Sequence, residues 1–169
     1  MGHTFFAKCN DCRYGVEVKE GIGMLFARRN VFNRKDFKRG RKTFLESLTK
    51  DFFITIKTFN LMEDGMHPSN DYGYEMYHCP KCHHLESRFF FSMTGRGEQY
   101  TPKYRCALCN TLQERTLPNN WYYAFKGLKK EEGFTLFVRS DNRQINWICP
   151  YCGGRKLIFD NSKYAMWWD

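Results

Sequence analysis

Eight cysteines in four Cys-x-x-Cys pairs constrain this chain more than any other feature: Cys9/Cys12, Cys79/Cys82, Cys106/Cys109 and Cys149/Cys152, with none left over. A Cys-x-x-Cys turn sets two thiolates on one side of a tight bend, so two such turns close a tetrahedron around a metal ion. Eight thiolates make two four-cysteine sites. The expected cofactors are two Zn2+, because zinc is the common occupant of closed tetrathiolate structural sites. Iron in rubredoxin-like knuckles is the lesser alternative. A thioredoxin-type redox motif needs one pair at a strand-to-helix junction, not four pairs between strands. A disulfide framework needs an oxidising compartment, and Met1-Gly2-His3-Thr4 opens no charged and then apolar secretory leader. The expected localisation is therefore cytoplasmic.

The flanks of the pairs read as strands. Phe5 to Lys8, Tyr74 to His78, Lys103 to Arg105 and Ile145 to Ile148 run into the knuckles. Val16 to Val18, Arg88 to Phe91, Leu112 to Arg115 and Lys156 to Phe159 leave them. Strand, knuckle, strand is the build of a zinc ribbon. Gly153 after Cys152 and Asn110 after Cys109 suit a tight knuckle exit, since both tolerate the left-handed region; Arg13 and His83 suit it less. Which knuckles pair is open on physical grounds. Sequential pairing closes loops of roughly 67 and 40 residues and nested pairing roughly 24 and 137, a difference of only about 0.2 kcal/mol in closure entropy.

Charge is the second signal: 27 Lys and Arg against 18 Asp and Glu, net +9, which favours anionic partners, nucleic acid first and acidic protein faces second. The positive charge concentrates at Arg28, Arg29, Arg34, Lys35, Lys38, Arg39, Arg41 and Lys42, against Asp36 alone. Phe32 and Phe37 lie among these cations, either as stacking platforms for unpaired bases or as core residues beneath a solvated basic face. Helical spacing of Phe44, Leu45 and Leu48 predicts a helix over about 41–51. Phe53 to Phe59 reads as a strand, and the turn formers from Leu61 to Gly73 as a loop. Thr94-Gly95-Arg96-Gly97 reads as a hairpin turn. Further on, Trp121 to Phe125 is an aromatic run, Phe134 to Arg139 a strand, and Tyr164 to Asp169 a tail too apolar to float.

Met1-Gly2-His3-Thr4-Phe5, Lys8-Cys9-x-x-Cys12, Tyr14, Gly21-Ile22-Gly23-Met24-Leu25-Phe26, the later knuckles and the Trp168-Asp169 end resemble small zinc-ribbon proteins of low-GC Gram-positive bacteria. Cys12-Arg13-Tyr14 departs from the Cys-Gly-Tyr usual in that group, and this chain is more basic and richer in Phe. The group carries no assigned activity. The resemblance implies a bacterial or phage-borne scaffold, and it implies sequential pairing, with a long segment after the first knuckle and a compact ribbon at the end.

No stretch approaches 18 apolar residues, and the Met-Gly-x-x-x-Ser/Thr lipidation motif fails at Phe6. No Gly-rich phosphate loop, nucleophile elbow or paired carboxylate cluster is present. His67 near Asp64 and Asp71 is the nearest approach to a general base, and His78, His83 and His84 find no vacancy beside four complete cysteine pairs. The expected class is therefore not an enzyme, and a metal-stabilised nuclease is the third choice.

The expected fold is α+β, mostly β: two four-cysteine zinc ribbons joined by a basic segment containing one short helix. Residues 1–100 would form the N-terminal ribbon region with its basic helical insertion, and 101–169 the C-terminal ribbon. The expected function is a zinc-stabilised binding protein that contacts nucleic acid through the basic, aromatic-interleaved surface. The alternative is a protein-interaction module, an inhibitor or accessory subunit facing an acidic or nucleic-acid-binding protein. No membrane partner is expected.

Overall fold

The computed structural model describes residues 3–115, 148–154 and 157–159. The aromatic run from Trp121, the strand expected at Phe134 to Arg139 and the tail from Tyr164 lie outside those residues.

Two antiparallel sheets carry the fold, so the α+β, mostly β expectation holds. The first has the order β2-β1-β7, from β1 (His3–Cys9), β2 (Gly15–Glu20) and β7 (Leu157–Phe159). The second has the order β5-β4-β3-β6, from β3 (His67–His78), β4 (Leu85–Gly95), β5 (Glu98–Tyr100) and β6 (Glu114–Arg115). β3 and β4 form a long hairpin whose register runs from Tyr72↔Phe91 to His78↔Leu85. Arg96 (φ 52°) and Gly97 (φ 77°) turn β4 into β5, both left-handed as a tight hairpin requires.

The segment between β2 and β3 is a run of short helices. After a 3-10 turn at Met24–Phe26 come α1 (Arg28–Val31), α2 (Arg34–Lys38), α3 (Phe44–Thr49) and α4 (Phe52–Glu63). The single helix expected over 41–51 is α3 alone. Thr43 starts it, its hydroxyl accepting from the Glu46 N–H at 3.1 Å, so Arg41 and Lys42 stay outside. Lys50 ends it in the left-handed region (φ 54°).

The strand expected from Phe53 to Phe59 is a helix, and the loop expected from Leu61 to Gly73 is the end of that helix, a turn and the start of β3. Asp51 Oδ1 caps α4 by accepting from the Ile54 N–H at 3.1 Å. Ile54, Thr55, Thr58 and Phe59 are its buried residues, an i, i+1, i+4, i+5 pattern that only a helix gives. Thr55 and Thr58 satisfy their hydroxyls within the helix by donating to the Asp51 and Ile54 carbonyls. A short β-branched run lets either structure form, and capping with tertiary burial decides.

The main core lies between the helices and β3/β4. Phe89, Phe91 and Met93, alternate residues of β4, meet Phe26, Val31, Phe32, Leu45, Leu48, Ile54 and Phe59 there. The aromatic rings pack edge-on, with Phe26 5.7 Å from Phe89 and Phe32 5.5 Å from Phe91. A smaller core of Ala7, Cys9, Val18, Met76, Leu85 and Cys149 joins the two sheets.

Backbone hydrogen bonds stitch the sheets together where Gly21 and Tyr74 exchange N–H and carbonyl at 2.8 Å each way. Gly73 permits that approach, because a Cβ there would sit 2.8 Å from Ile22 Cγ2 and 2.9 Å from the Gly21 oxygen.

Phe89 is fully buried and Phe53 is 81% exposed. Phe89→Ala should therefore cost about 3–5 kcal/mol by denaturant unfolding, and Phe53→Ala less than about 0.5 kcal/mol. Equal effects of the two changes would contradict this assignment of the core.

Candidate metal centres

Backbone hydrogen bonds define the shape of each knuckle. In three of them the first cysteine's N–H donates to the carbonyl five residues on, and its own carbonyl accepts the N–H four residues on. These are Cys79 with His84 and His83, Cys106 with Thr111 and Asn110, and Cys149 with Gly154 and Gly153. The residue after the second cysteine is left-handed in all three: His83 (φ 60°), Asn110 (φ 58°) and Gly153 (φ 71°). Asn110 and Gly153 suit this place, as their residue types suggested, and His83 adopts it as well. The first knuckle keeps the bond from Cys9 N–H to the Tyr14 carbonyl, but Arg13 is not left-handed.

The knuckles pair in the nested order, which corrects the sequential pairing implied by the resemblance. Cys9, Cys12, Cys149 and Cys152 form an outer cluster and Cys79, Cys82, Cys106 and Cys109 an inner one, the sulfurs of each lying within 4.8 Å of one another. Strand pairing is the cause. β7, just past the fourth knuckle, pairs antiparallel with β1, which enters the first (Cys9↔Leu157). β6, just past the third, pairs with β3, which enters the second (His78↔Glu114). The inner cluster thus takes one knuckle from each side of residue 100.

In the outer cluster Cys9 lies 3.7 Å from Cys152 and Cys12 3.7 Å from Cys149. In the inner cluster Cys79–Cys109, Cys82–Cys106 and Cys82–Cys109 are 3.4, 3.5 and 3.6 Å. A metal–sulfur bond of about 2.3 Å in a tetrahedron requires sulfurs about 3.8 Å apart, whereas a disulfide requires about 2.05 Å. All eight thiols are free, so each donor set fits a tetrahedral metal ion.

Electrostatics points the same way. Burial and the neighbouring sulfurs push Cys82 up to about 12. At Cys12 the Tyr14 N–H favours the thiolate, but burial and the sulfurs of Cys152, Cys149 and Cys9 still carry it up to about 12. Cys109, beside the Thr111 hydroxyl and N–H, is brought down to about 6. Four thiolates so close together need a cation among them.

Sequence reasoning missed the link between the clusters. Tyr14 and His84 each stand two residues beyond the second cysteine of a knuckle, and Tyr14 Oη lies 3.5 Å from His84 Nδ1. His84 Nε2 is 3.3 Å from Glu86 Oε1, and Arg88 Nη2 is 2.5 Å from Glu86 Oε2. Glu86 also accepts the Ala107 N–H from inside the third knuckle at 3.4 Å. Burial opposes the Glu86 charge, but His84, Arg88 and the Ala107 N–H outweigh it and hold the carboxyl below its ordinary range. The signal available was the i, i+2, i+4 spacing of His84, Glu86 and Arg88 along one strand face. No histidine joins either cluster among the described residues. His67 is exposed on β3, with no hydrogen bond or ion pair to Asp64 or Asp71 among the described residues.

Of the eight basic residues, Arg28, Arg29, Lys35, Lys38, Arg39, Arg41 and Lys42 are exposed and Arg34 half-buried. Arg29, Arg34, Lys35 and Lys38 line one open cleft of about 630 Å³ with Asn30, Asn33 and Phe32. Arg34 and Lys38 also reach Glu63 of α4, at 3.7 and 3.8 Å. The aromatics among these cations do not form a stacking surface: Phe32 is buried and Phe37 packs on Phe59 at 4.8 Å between ring centres.

No family model matches the chain, and comparison with curated proteins and with solved structures gives no match either. Function is therefore read from geometry.

Cys106→Ala and Cys152→Ala should each retain one tightly held metal ion per chain where the parent retains two, by elemental analysis after desalting. Loss of both ions on removing either sulfur, or of neither, would contradict two separate four-cysteine centres. Glu86→Gln should cost about 1.5–3 kcal/mol at pH 7 by denaturant unfolding with metal present. The folded Glu86 pKa lies below the unfolded value, so its contribution is full above about pH 4.3 and fades as pH falls through the folded pKa. The difference between the two proteins should shrink below about pH 4.3, and a difference that grows there would contradict the assignment.

Proposed function

We propose that the chain is a non-enzymatic binding protein, held in shape by two structural zinc ions, that grips the phosphate backbone of nucleic acid through the basic face of α1, α2 and the loop to α3. Zinc is favoured because closed four-thiolate sites suit it, and four thiolates leave no position for water and place enough negative charge on the ion to make it a poor Lewis acid. Free thiols in tight clusters fit a reducing compartment such as the cytoplasm.

One observation carries the binding reading: the cleft lined by Arg29, Arg34, Lys35 and Lys38, with Arg39, Arg41 and Lys42 exposed on the chain that follows α2. Asn30 and Asn33 also line it, Asn30 Nδ2 donating to the Leu25 carbonyl at 3.1 Å and Asn33 capping α2 by accepting the Lys35 N–H at 3.0 Å. Cations grouped on one face neutralise phosphates without reading base sequence. A second reading, docking on another protein, is favoured by Leu108 and Leu112, which stand exposed at the third knuckle.

Arg34 and Lys38 should be left intact in the test, since reversing them would gather three carboxylates at Glu63. Arg29, Lys35, Arg39 and Arg41 changed together to Glu should keep metal content and unfolding midpoint while weakening nucleic-acid binding at least tenfold. The salt dependence should flatten by about 0.7–0.9 for each phosphate that is no longer neutralised. Unchanged affinity and slope would exclude this face.

A further inference from the structure

Helix α4 presents a second basic surface that carries an aromatic ring. Phe53, Lys57 and Asn60 stand exposed at i, i+4 and i+7, on one stripe of the helix. Phe53 is 81% exposed, the largest exposure among the large apolar residues described, together with Tyr151, and Phe52 beside it is 54% exposed. The one ring contact of Phe53 among the described residues is edge-on with the equally surface-facing Phe52, 6.3 Å between ring centres, so unlike Phe32 and Phe37 it does not pack into the core.

Lys57 also borders a groove of about 420 Å³ between α4 and the chain around β5, lined by Ile54, Gln99, Tyr100, Thr101 and Lys103. The Lys57 ammonium stands 4.6 Å from the centre of the Tyr100 ring, and Lys103 is exposed across the groove. Asp51, whose charge is felt at Tyr100, caps α4 by accepting from the Ile54 N–H at 3.1 Å.

The other flank of α4 meets the basic cleft, where Arg34 and Lys38 reach Glu63. Glu63 lies six positions beyond Lys57, about 9 Å along the helix axis. Cationic grooves thus border the exposed stripe on two sides.

We infer that α4 is a binding ridge for single-stranded nucleic acid, with Phe53 stacking on an unpaired base and Lys57 and Lys103 holding the adjoining phosphates. This rests on the nucleic-acid reading above and narrows it. Phosphate contacts alone serve duplex and single strand alike, but an exposed ring gains only from a base free to leave its stack. Recognition of this kind is tolerant of sequence, because every base offers a π-face.

Fluorescence anisotropy on the metal-loaded full chain tests it, with labelled oligo(dT) of about 20 nucleotides, a duplex of equal length and phosphatidylserine vesicles as probes. Phe53→Ala should weaken oligo(dT) binding about 5- to 150-fold with an unchanged salt slope, and Phe53→Tyr should restore it. Duplex binding should not change with either substitution. Lys57→Gln should flatten the oligo(dT) salt slope by about 0.7. Full oligo(dT) affinity in Phe53→Ala, with binding still weakened at least tenfold by the four-residue charge reversal, would overturn the ridge and leave the basic face standing. Absence of binding to both nucleic acids would overturn both readings. Phe53-dependent capture by vesicles alone would assign the ridge to a lipid surface instead.

Discussion

Sulfur atoms brought within 3.4–3.7 Å of one another are the constraint on which the rest depends. Neither cluster is local. The outer one joins residues 143 and 137 apart, and the inner one residues 24 to 30 apart. Closing a loop of roughly 137 residues costs on the order of 4 kcal/mol beyond a constant, while a four-thiolate zinc site contributes about 10–16 kcal/mol to folding. The metal contribution is larger by a wide margin. A metal ion held by the outer cluster would allow a strand of three residues, β7, to keep its place against β1, where ladder hydrogen bonds alone are marginal.

The two centres are not independent beads. Cys9 and Cys149 of the outer cluster share a small core with Leu85 and Met76 from the strands that border the inner one. Tyr14 reaches His84 across the gap, and Glu86 ties His84 to the third knuckle. The helical segment between β2 and β3 leaves from one sheet and enters the other, with the Gly21–Tyr74 bond pair closing its base. Its apolar side forms the main core, and its cations are left on the outside. The basic surface is thus a product of burial: Phe32 and Phe37 turn inward while Arg29, Lys35 and Arg39 stay exposed.

Much of this was legible in the residues, and the failures have physical causes. The cysteine spacing identified all eight donors, and the strands beside the first two knuckles followed from their β-branched and aromatic runs, whereas Lys103 to Arg105 gives only an isolated bridge from Arg105 to Leu112 and Ile145 to Trp147 lie outside the described residues. Pairing did not follow, because the closure penalties of the two orders differ by only about 0.2 kcal/mol and the deciding factor is strand register, which belongs to tertiary structure. Phe53 to Phe59 misled because alternation over seven residues fits a strand as well as a buried helix, until Asp51 is seen as a cap. The loop expected at Leu61 to Gly73 misled for a related reason. His67-Pro68-Ser69-Asn70 has turn composition, yet it begins a strand whose register slips between Pro68 and Tyr72, where irregular residues are tolerated.

Cadmium-113 NMR on the cadmium-substituted protein addresses the nested pairing most directly, since scalar coupling connects each metal nucleus to the β-protons of its own cysteines. Two cadmium resonances are expected, one correlated with Cys9, Cys12, Cys149 and Cys152 and the other with Cys79, Cys82, Cys106 and Cys109. A resonance correlated with both Cys9 and Cys79, or a single resonance per chain, would contradict the account.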